Sequence, residues 1–255
     1  MDPAASNRSR AHQAEQLPLL VAPTPRRRRQ AKRGRPKKPG AGVPHKRRPV
    51  LSARHPVHVV LRVVSAVGSL RRRLAFQAIR AATIVAVQKE DFRIVHLSLQ
   101  RTHIHLLVEA DDRRALARGM QSFQISAAKH LNRMLSKGRP GPRRKGCVFS
   151  DRYYAEIIKS PRQARNALSY VLQNWHKHGE DRDPRLASWN YDWFSSAWSF
   201  PDWLEENNDP FFHPPPPSYE PLLVRRPATW LLSTGWKRHG LISYREVPSA
   251  HPSRR

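Results

Sequence analysis

The chain has 255 residues, room for one large domain or two small ones. Lys and Arg outnumber Asp and Glu by 47 to 19, a formal net charge of +28. Solubility does not require such an excess, and it points to a polyanionic partner. No apolar run approaches the roughly 18 residues that span a bilayer, and no apolar leader core separates the N-terminal charges. Cys147 is the single cysteine, which excludes an internal disulfide. Nucleic acid is therefore the expected partner, membrane is not, and the expected setting is a reducing one, the cytoplasm.

Residues 1–50 carry fourteen Lys/Arg against Asp2 and Glu15, with Pro, Ala and Gly between them. Runs such as Arg26-Arg27-Arg28-Arg29 cannot bury an apolar face, so a disordered basic arm is expected, either lying along phosphates or simply solvated. Regular structure is predicted from about residue 51. Val57–Val64 reads as a strand. Leu70–Lys89 follows as a helix with Leu74, Ala75, Ala78, Ile79, Ala82 and Ala86 on one stripe. Phe92–Gln100 and Thr102–Ala110 read as the two strands of a hairpin. Asp111 or Asp112 can cap a long helix in which Leu116, Met120, Phe123, Ala127, Leu131 and Met134 recur at helical spacing. A basic Gly/Pro loop leads to a fourth strand, Cys147–Ile158, and Pro161 opens a helix that Gly179 ends. The order β-α-β-β-α-β plus a helix predicts a ferredoxin-like α+β domain over residues 51–180. Two helices would cover one face of an antiparallel four-stranded sheet and leave the other face for a site. Residues 181–255, rich in Pro and Trp, read as a meandering extension without a core of its own, carrying one short helix at Ala228–His239.

Strand side chains alternate between faces, so His103 and His105 share one face while Ile104 takes the other. Two neutral imidazoles one strand-step apart can grip a metal ion; with an amide or carboxylate oxygen they suit Mn²⁺, Mg²⁺ or Zn²⁺. On the last helix, Ala164, Ala167, Leu168, Val171, Leu172 and Trp175 form the apolar stripe. Tyr170 lies off that stripe and Asn174 stands one turn on, along the same side. Tyr170 is the candidate nucleophile and Asn174 the candidate third metal ligand; the plain alternative is a half-exposed aromatic beside the sheet. A phenol has a pKa near 10, so it needs charge stabilisation to attack a phosphate.

These residues resemble a known family. His103-Ile104-His105, Val148-Phe149-Ser150-Asp151-Arg152-Tyr153-Tyr154 and Tyr170-Val171-Leu172-Gln173-Asn174 together look like the single-tyrosine HUH transposases of the IS200/IS605 type, most like their REP-associated relatives. The resemblance covers about residues 55 to 180. It implies that Tyr170 attacks a phosphate to give a 5′-phosphotyrosine and a free 3′-hydroxyl. It also implies that His103, His105 and Asn174 hold Mg²⁺ or Mn²⁺, and that the substrate is single-stranded DNA near a hairpin. The insertion-sequence members carry Gln four residues after the tyrosine, where this chain has Asn174 with Gln173 beside it.

Other residues enter as candidates. Arg71, Arg72, Arg73, Arg143, Arg144 and Lys145 are expected DNA contacts, or else solvated clusters. Tyr153 and Tyr154 are rival nucleophiles, of which strand alternation sends one to the core and the other to the site or solvent. His58 and His96 read as structural histidines or as supports behind the metal ligands, and Glu109 as a surface residue near a strand end. Trp189, Trp193 and Trp198 could stack bases but are expected to pack the extension. The competing functions are a hairpin-DNA-binding protein without cleavage activity, catalytically inactive or domesticated, and an RNA-recognition module. The second falls behind because the third strand carries histidines in place of aromatics. A monomer and a homodimer are both compatible with the sequence.

Overall fold

A computed structural model describes residues 49–138, 140–183, 189–205 and 215–248. The chain divides into two units, Met1–Ala41, which lies outside the described residues together with most of the predicted basic arm, and Gly42–Arg255. Residues 207–210 and 214, read as part of the meander, also lie outside them.

Four strands form one antiparallel sheet in the order β2-β3-β1-β4: β1 Val57–Arg62, β2 Phe92–Leu99, β3 His103–Ala110 and β4 Tyr154–Ile157. Helices α1 (Arg73–Val87) and α2 (Arg113–Ser136) pack against each other and the sheet. The interior beneath them takes Val57, Val59 and Leu61 from β1, Ile104, Leu106 and Val108 from β3, and Phe123 and Leu131 from α2. This is the predicted ferredoxin-like α+β arrangement. Asp112 caps α2 by accepting a hydrogen bond from the Ala115 amide at 2.7 Å. Gly119 lets α2 approach β2, because a Cβ there would collide with the Phe92 ring.

A bulge in β2 between Ile94 and His96 explains how its apolar residues stay inside. Ile94 and Leu97 differ in parity, yet both reach the helix-covered core because the extra residue shifts the alternation. On α1, Leu74 is 49% exposed and leaves the predicted stripe, while Phe76 is buried. Phe76 packs against Phe194 and Tyr219 of the C-terminal extension, at ring separations of 5.9 and 6.0 Å, which sequence periodicity within α1 cannot register. The predicted fourth strand is shorter than expected. Val148 and Ser150 bond to Val64 and Arg62, the segment breaks at Asp151–Tyr153, and β4 itself starts at Tyr154.

The last predicted helix is also interrupted. Helix α3 runs Pro161–Leu172, with Ser160 accepting from the Gln163 amide at its start. Gln173 adopts φ −122°, ψ 19°, and α4 (Asn174–Lys177) follows as a single turn. The extension corrects the expectation that it lacks a core. Tyr191, Phe200, Trp203, Leu231, Leu232, Trp236 and Ile242 join Ala164, Leu168 and Val171 of α3, and Val95 and Leu107 of the sheet, in a second buried cluster. The sequence hides this because its apolar residues are scattered through coil and meet only when α3 is placed between them. Within the extension, α5 is Trp230–Ser233, continued by a tighter turn at Gly235–His239. The backbone of residues 194–196 also bonds to Leu97 and Leu99, covering part of the β2 edge.

Candidate active site

The sheet face opposite α1 and α2 carries the polar residues. Register pairs Arg62 with His103 and Val60 with His105 across β1 and β3, and His58 stands two residues before Val60 on the same face. His103 and His105 have ring centroids 4.7 Å apart, almost perpendicular at 83°. His105 Nδ1 lies 3.1 Å from His58 Nε2, and the two rings stack 5.3 Å apart. Helix α3 delivers Tyr170 onto this cluster, edge-on to His105 at 5.1 Å and to His58 at 5.8 Å. The Lys177 ammonium lies 4.7 Å above the Tyr170 ring. The structure thus brings His103, His105 and Tyr170 together, with Asn174 fully buried at the helix break.

Electrostatics suits ligation by neutral imidazoles. Burial, helped by Arg62 and His178, pulls the His103 pKa down to about 4. Burial also pushes His105 well below its usual value, assisted by the positive fields of His58, His103, His178 and Lys177. Burial raises the Tyr170 phenol above its ordinary 10, while the nearby Asn174 amide pulls it the other way.

Three buried atoms here lack a hydrogen-bond partner: His105 Nε2, Asn174 Oδ1 and Asn174 Nδ2. Orphaned polar atoms are costly in a protein interior. In the tautomer in which its Nδ1–H donates to His58 Nε2, His105 presents the Nε2 lone pair, the arrangement a metal-ligating histidine adopts. Two neutral imidazoles and an amide oxygen are a donor set for a divalent ion, so these residues fit the implied Mg²⁺ or Mn²⁺. Among the described residues no three His, Cys, Asp or Glu side chains cluster as a metal site. The neighbouring Gln173 donates its amide N–H to the Ser243 carbonyl, while its Oε1 is likewise buried without a partner.

Two partners were underrated by sequence reading. His58 is an inner neighbour of His105, and strand alternation on β1 was the signal for it. His178 stands 6.0 Å from His103, concealed in sequence because the Trp175–Gly179 segment reads as a helix stop. Glu109 is no surface residue: it is 4% exposed and accepts hydrogen bonds from the Ala228 and Thr229 amides and the Thr229 hydroxyl, anchoring the start of α5. His96 is buried against the Ser196 hydroxyl. Tyr153 is buried in the core and Tyr154 exposed, as alternation predicted.

The basic candidates divide. The Arg71 side chain is 4% exposed and forks onto Asp192 with two 2.9 Å bonds, also reaching the Leu99 carbonyl, so it is an internal tie and not a DNA contact. Arg144 staples its own loop by donating to Asn132, Gly146 and Cys147. Arg72, Arg73, Arg143 and Lys145 are exposed. The extension grips α3 from outside: Arg165 makes two bonds to Glu246, at 2.8 and 2.7 Å, and the Ser169 hydroxyl donates to the same carboxylate at 2.8 Å. Burial alone would raise the Glu246 carboxyl, but Arg165 and Ser169 outweigh it and hold it below its usual range. His176 Nε2 lies 2.9 Å from the Tyr244 carbonyl oxygen. The Trp189, Trp193 and Trp198 rings pack on one another and on Tyr191 and Tyr219.

Residues 52–174 match the sequence model of a family described as IS200-like transposases, a span that runs from just before β1 to Asn174. Among solved structures, the chain is similar to a REP-associated tyrosine transposase bound to a REP hairpin, with 13% identity and a TM-score of 0.46 over 72% of this chain and 100% of that one. It is also similar to a protein of Deinococcus radiodurans R1 whose transposase assignment is provisional, with 16% identity and a TM-score of 0.33 over 57% of this chain and 98% of that one. No curated protein matches the chain. No helix among the described residues is long and apolar enough to cross a membrane.

Proposed function

Residues 52–174 belong to the IS200-like transposase family, and from that premise we propose that the chain is a DNA transesterase that cleaves and rejoins single-stranded DNA beside hairpins. Tyr170 is the nucleophile, and His103, His105 and Asn174 hold a divalent metal ion. The observation that carries this reading is a tyrosine ring edge-on to buried His105, with half-buried His103 beside that imidazole and the buried amide of Asn174 one turn along from Tyr170.

When bound, Mg²⁺ or Mn²⁺ supplies Lewis-acid stabilisation of the charge that develops on the phosphate. His103 and His105 offer lone pairs at neutral pH because burial keeps them unprotonated. His58 fixes the His105 ring through the 3.1 Å contact at Nδ1. Burial keeps the Tyr170 phenol protonated at rest. The Lys177 charge over its ring then favours the phenolate as the proton leaves. Attack by the Tyr170 oxygen forms the Tyr–O–P bond and breaks the bond from phosphorus to the 3′ oxygen, which departs as a hydroxyl after taking up a proton. The products are a 5′-phosphotyrosine and a free 3′-hydroxyl, and attack by a 3′-hydroxyl on the ester rejoins a strand without ATP. Exposed Arg72, Arg73, Arg143 and Lys145 contribute sequence-independent phosphate contacts. The assigned setting is the cytoplasm.

The test is covalent-adduct formation. Full-length protein and Tyr170→Phe are mixed with labelled hairpin-bearing single strands from DNA flanking the gene, with Mn²⁺ or with chelator, and run on a denaturing gel. A metal-dependent shifted band absent from Tyr170→Phe is expected. A band that survives the substitution moves the nucleophile elsewhere. Tight hairpin binding with no band in any condition replaces the enzyme with a binding protein.

A further inference from the structure

Helix α3 packs over β2 and β3, where Val95 and Leu107 meet its apolar stripe. The β1–β4 half of the same face is more open: Val60 is half-buried, and Arg62 and Tyr154 are exposed. Tyr154 pairs with Val60, and Val60 pairs with His105, so all three lie in one cross-strand row. Paired residues point to the same face, which places Tyr154 two strand spacings from His105, about 10 Å, on the site side of the sheet. Tyr153, its neighbour in sequence, is buried in the opposite core and fixes that orientation.

A tyrosine 49% exposed on a sheet, with no ring contact among the described residues, leaves a large π-face in water. Exposed Arg62 pairs with His103 and stands two residues along β1 from Val60, on the same face, so a guanidinium lies next to this row. Tyr170 contacts His58 and His105, whereas Tyr154 makes no histidine ring contact among the described residues, which argues against a second nucleophile. Exposed aromatics beside basic side chains are the recurring platform for unpaired bases, because every base has a π-face and the backbone follows the cations.

We propose that Tyr154 is a base-stacking subsite: it holds one unpaired DNA base beside the phosphate presented to Tyr170, while Arg62 contacts the connecting phosphate. The inference rests on the transposase reading for its ligand, single-stranded DNA. Stacking tolerates any base, so the subsite sets where the strand lies along the site and leaves sequence choice to other contacts. It also answers why the Tyr153-Tyr154 pair is aromatic at both positions: one ring fills the core and the other meets the substrate.

The experiment uses full-length protein, chelator to prevent cleavage, and single strands carrying 2-aminopurine at one position at a time. Wild type and Tyr154→Phe are expected to quench the probe at one position. Tyr154→Leu keeps the apolar bulk of the strand but removes the ring. It is expected to lose that quench and to bind about 5- to 100-fold more weakly. Should the leucine variant fail to fold by circular dichroism, Tyr154→Gln replaces it with the same expectation. Quenching and affinity unchanged in the ring-less variant overturn the subsite and leave the transposase reading standing. Tighter binding of RNA of the same sequence overturns DNA as the occupant. Folded wild type that binds no single strand overturns both the subsite and the reading beneath it.

Discussion

The two faces of the sheet are built by opposite rules. Under α1 and α2 the interior is almost wholly apolar, filled by residues such as Leu61, Leu106 and Phe123, with Thr83 and Ser126 the buried polar residues of the two helices. On the other face His58, His96, Ser98, His105 and Glu109 are all buried among the apolar residues of α3 and the extension. The first face holds the fold together by burial alone. The second buries polar groups that each need a partner, and where partners are absent, at His105 Nε2 and Asn174, the chemistry is proposed to occur. The helix-covered face serves the fold alone, while the other combines a second buried apolar cluster with the proposed site.

The largest expected effect lies on the apolar face. Phe123→Ala should cost about 3–5 kcal/mol in urea unfolding, the range for truncating a buried aromatic, with adduct formation per folded molecule retained. A loss under about 1 kcal/mol would mean that the second cluster, and not the helix-covered core, carries the fold.

On the polar face, Glu109→Gln tests whether the extension is integral. The carboxylate accepts three bonds at the start of α5, and its replacement should cost about 1.5–3 kcal/mol and make residues near 228 sensitive to protease before the sheet unfolds. Unchanged protease resistance would show that the aromatic cluster alone secures the extension.

The last effect is graded by pH and is small over any one unit. Burial lowers His96 to about 3, against about 6.5 unfolded. The unfolded chain therefore binds the extra proton between these values. Stability is fully present above about 6.5 and falls by at most about 1.4 kcal/mol per pH unit until about pH 3. His96→Gln should flatten that part of the curve in denaturant titrations at successive pH values. A slope unchanged in the variant would assign acid sensitivity to other groups.

Much of the site was legible in sequence because its signals are local. His103 and His105 share a face through strand alternation, and Tyr170 falls off its helix stripe through helical periodicity. What escaped is non-local. Arg71 and Arg72 are indistinguishable in sequence, yet Asp192, 121 residues away, buries the first and leaves the second in water. Glu109 read as a strand-end surface residue because its partners lie 119 and 120 residues on. The side chain of Gln173, at the helix break, is likewise held by the Ser243 carbonyl, 70 residues on.

The amino-acid sequence by itself determined the element order, the ferredoxin-like sheet and the residues that converge on Tyr170, because periodicity and spacing encode which face a side chain takes. Only the tertiary structure decided which arginines stay free, that His58 backs His105, and that the C-terminal extension closes a second core over α3. These depend on contacts between residues as far apart in sequence as the 47 positions of His58–His105 and the 121 of Arg71–Asp192, and the chain's local pattern carries no record of which distant partner will arrive.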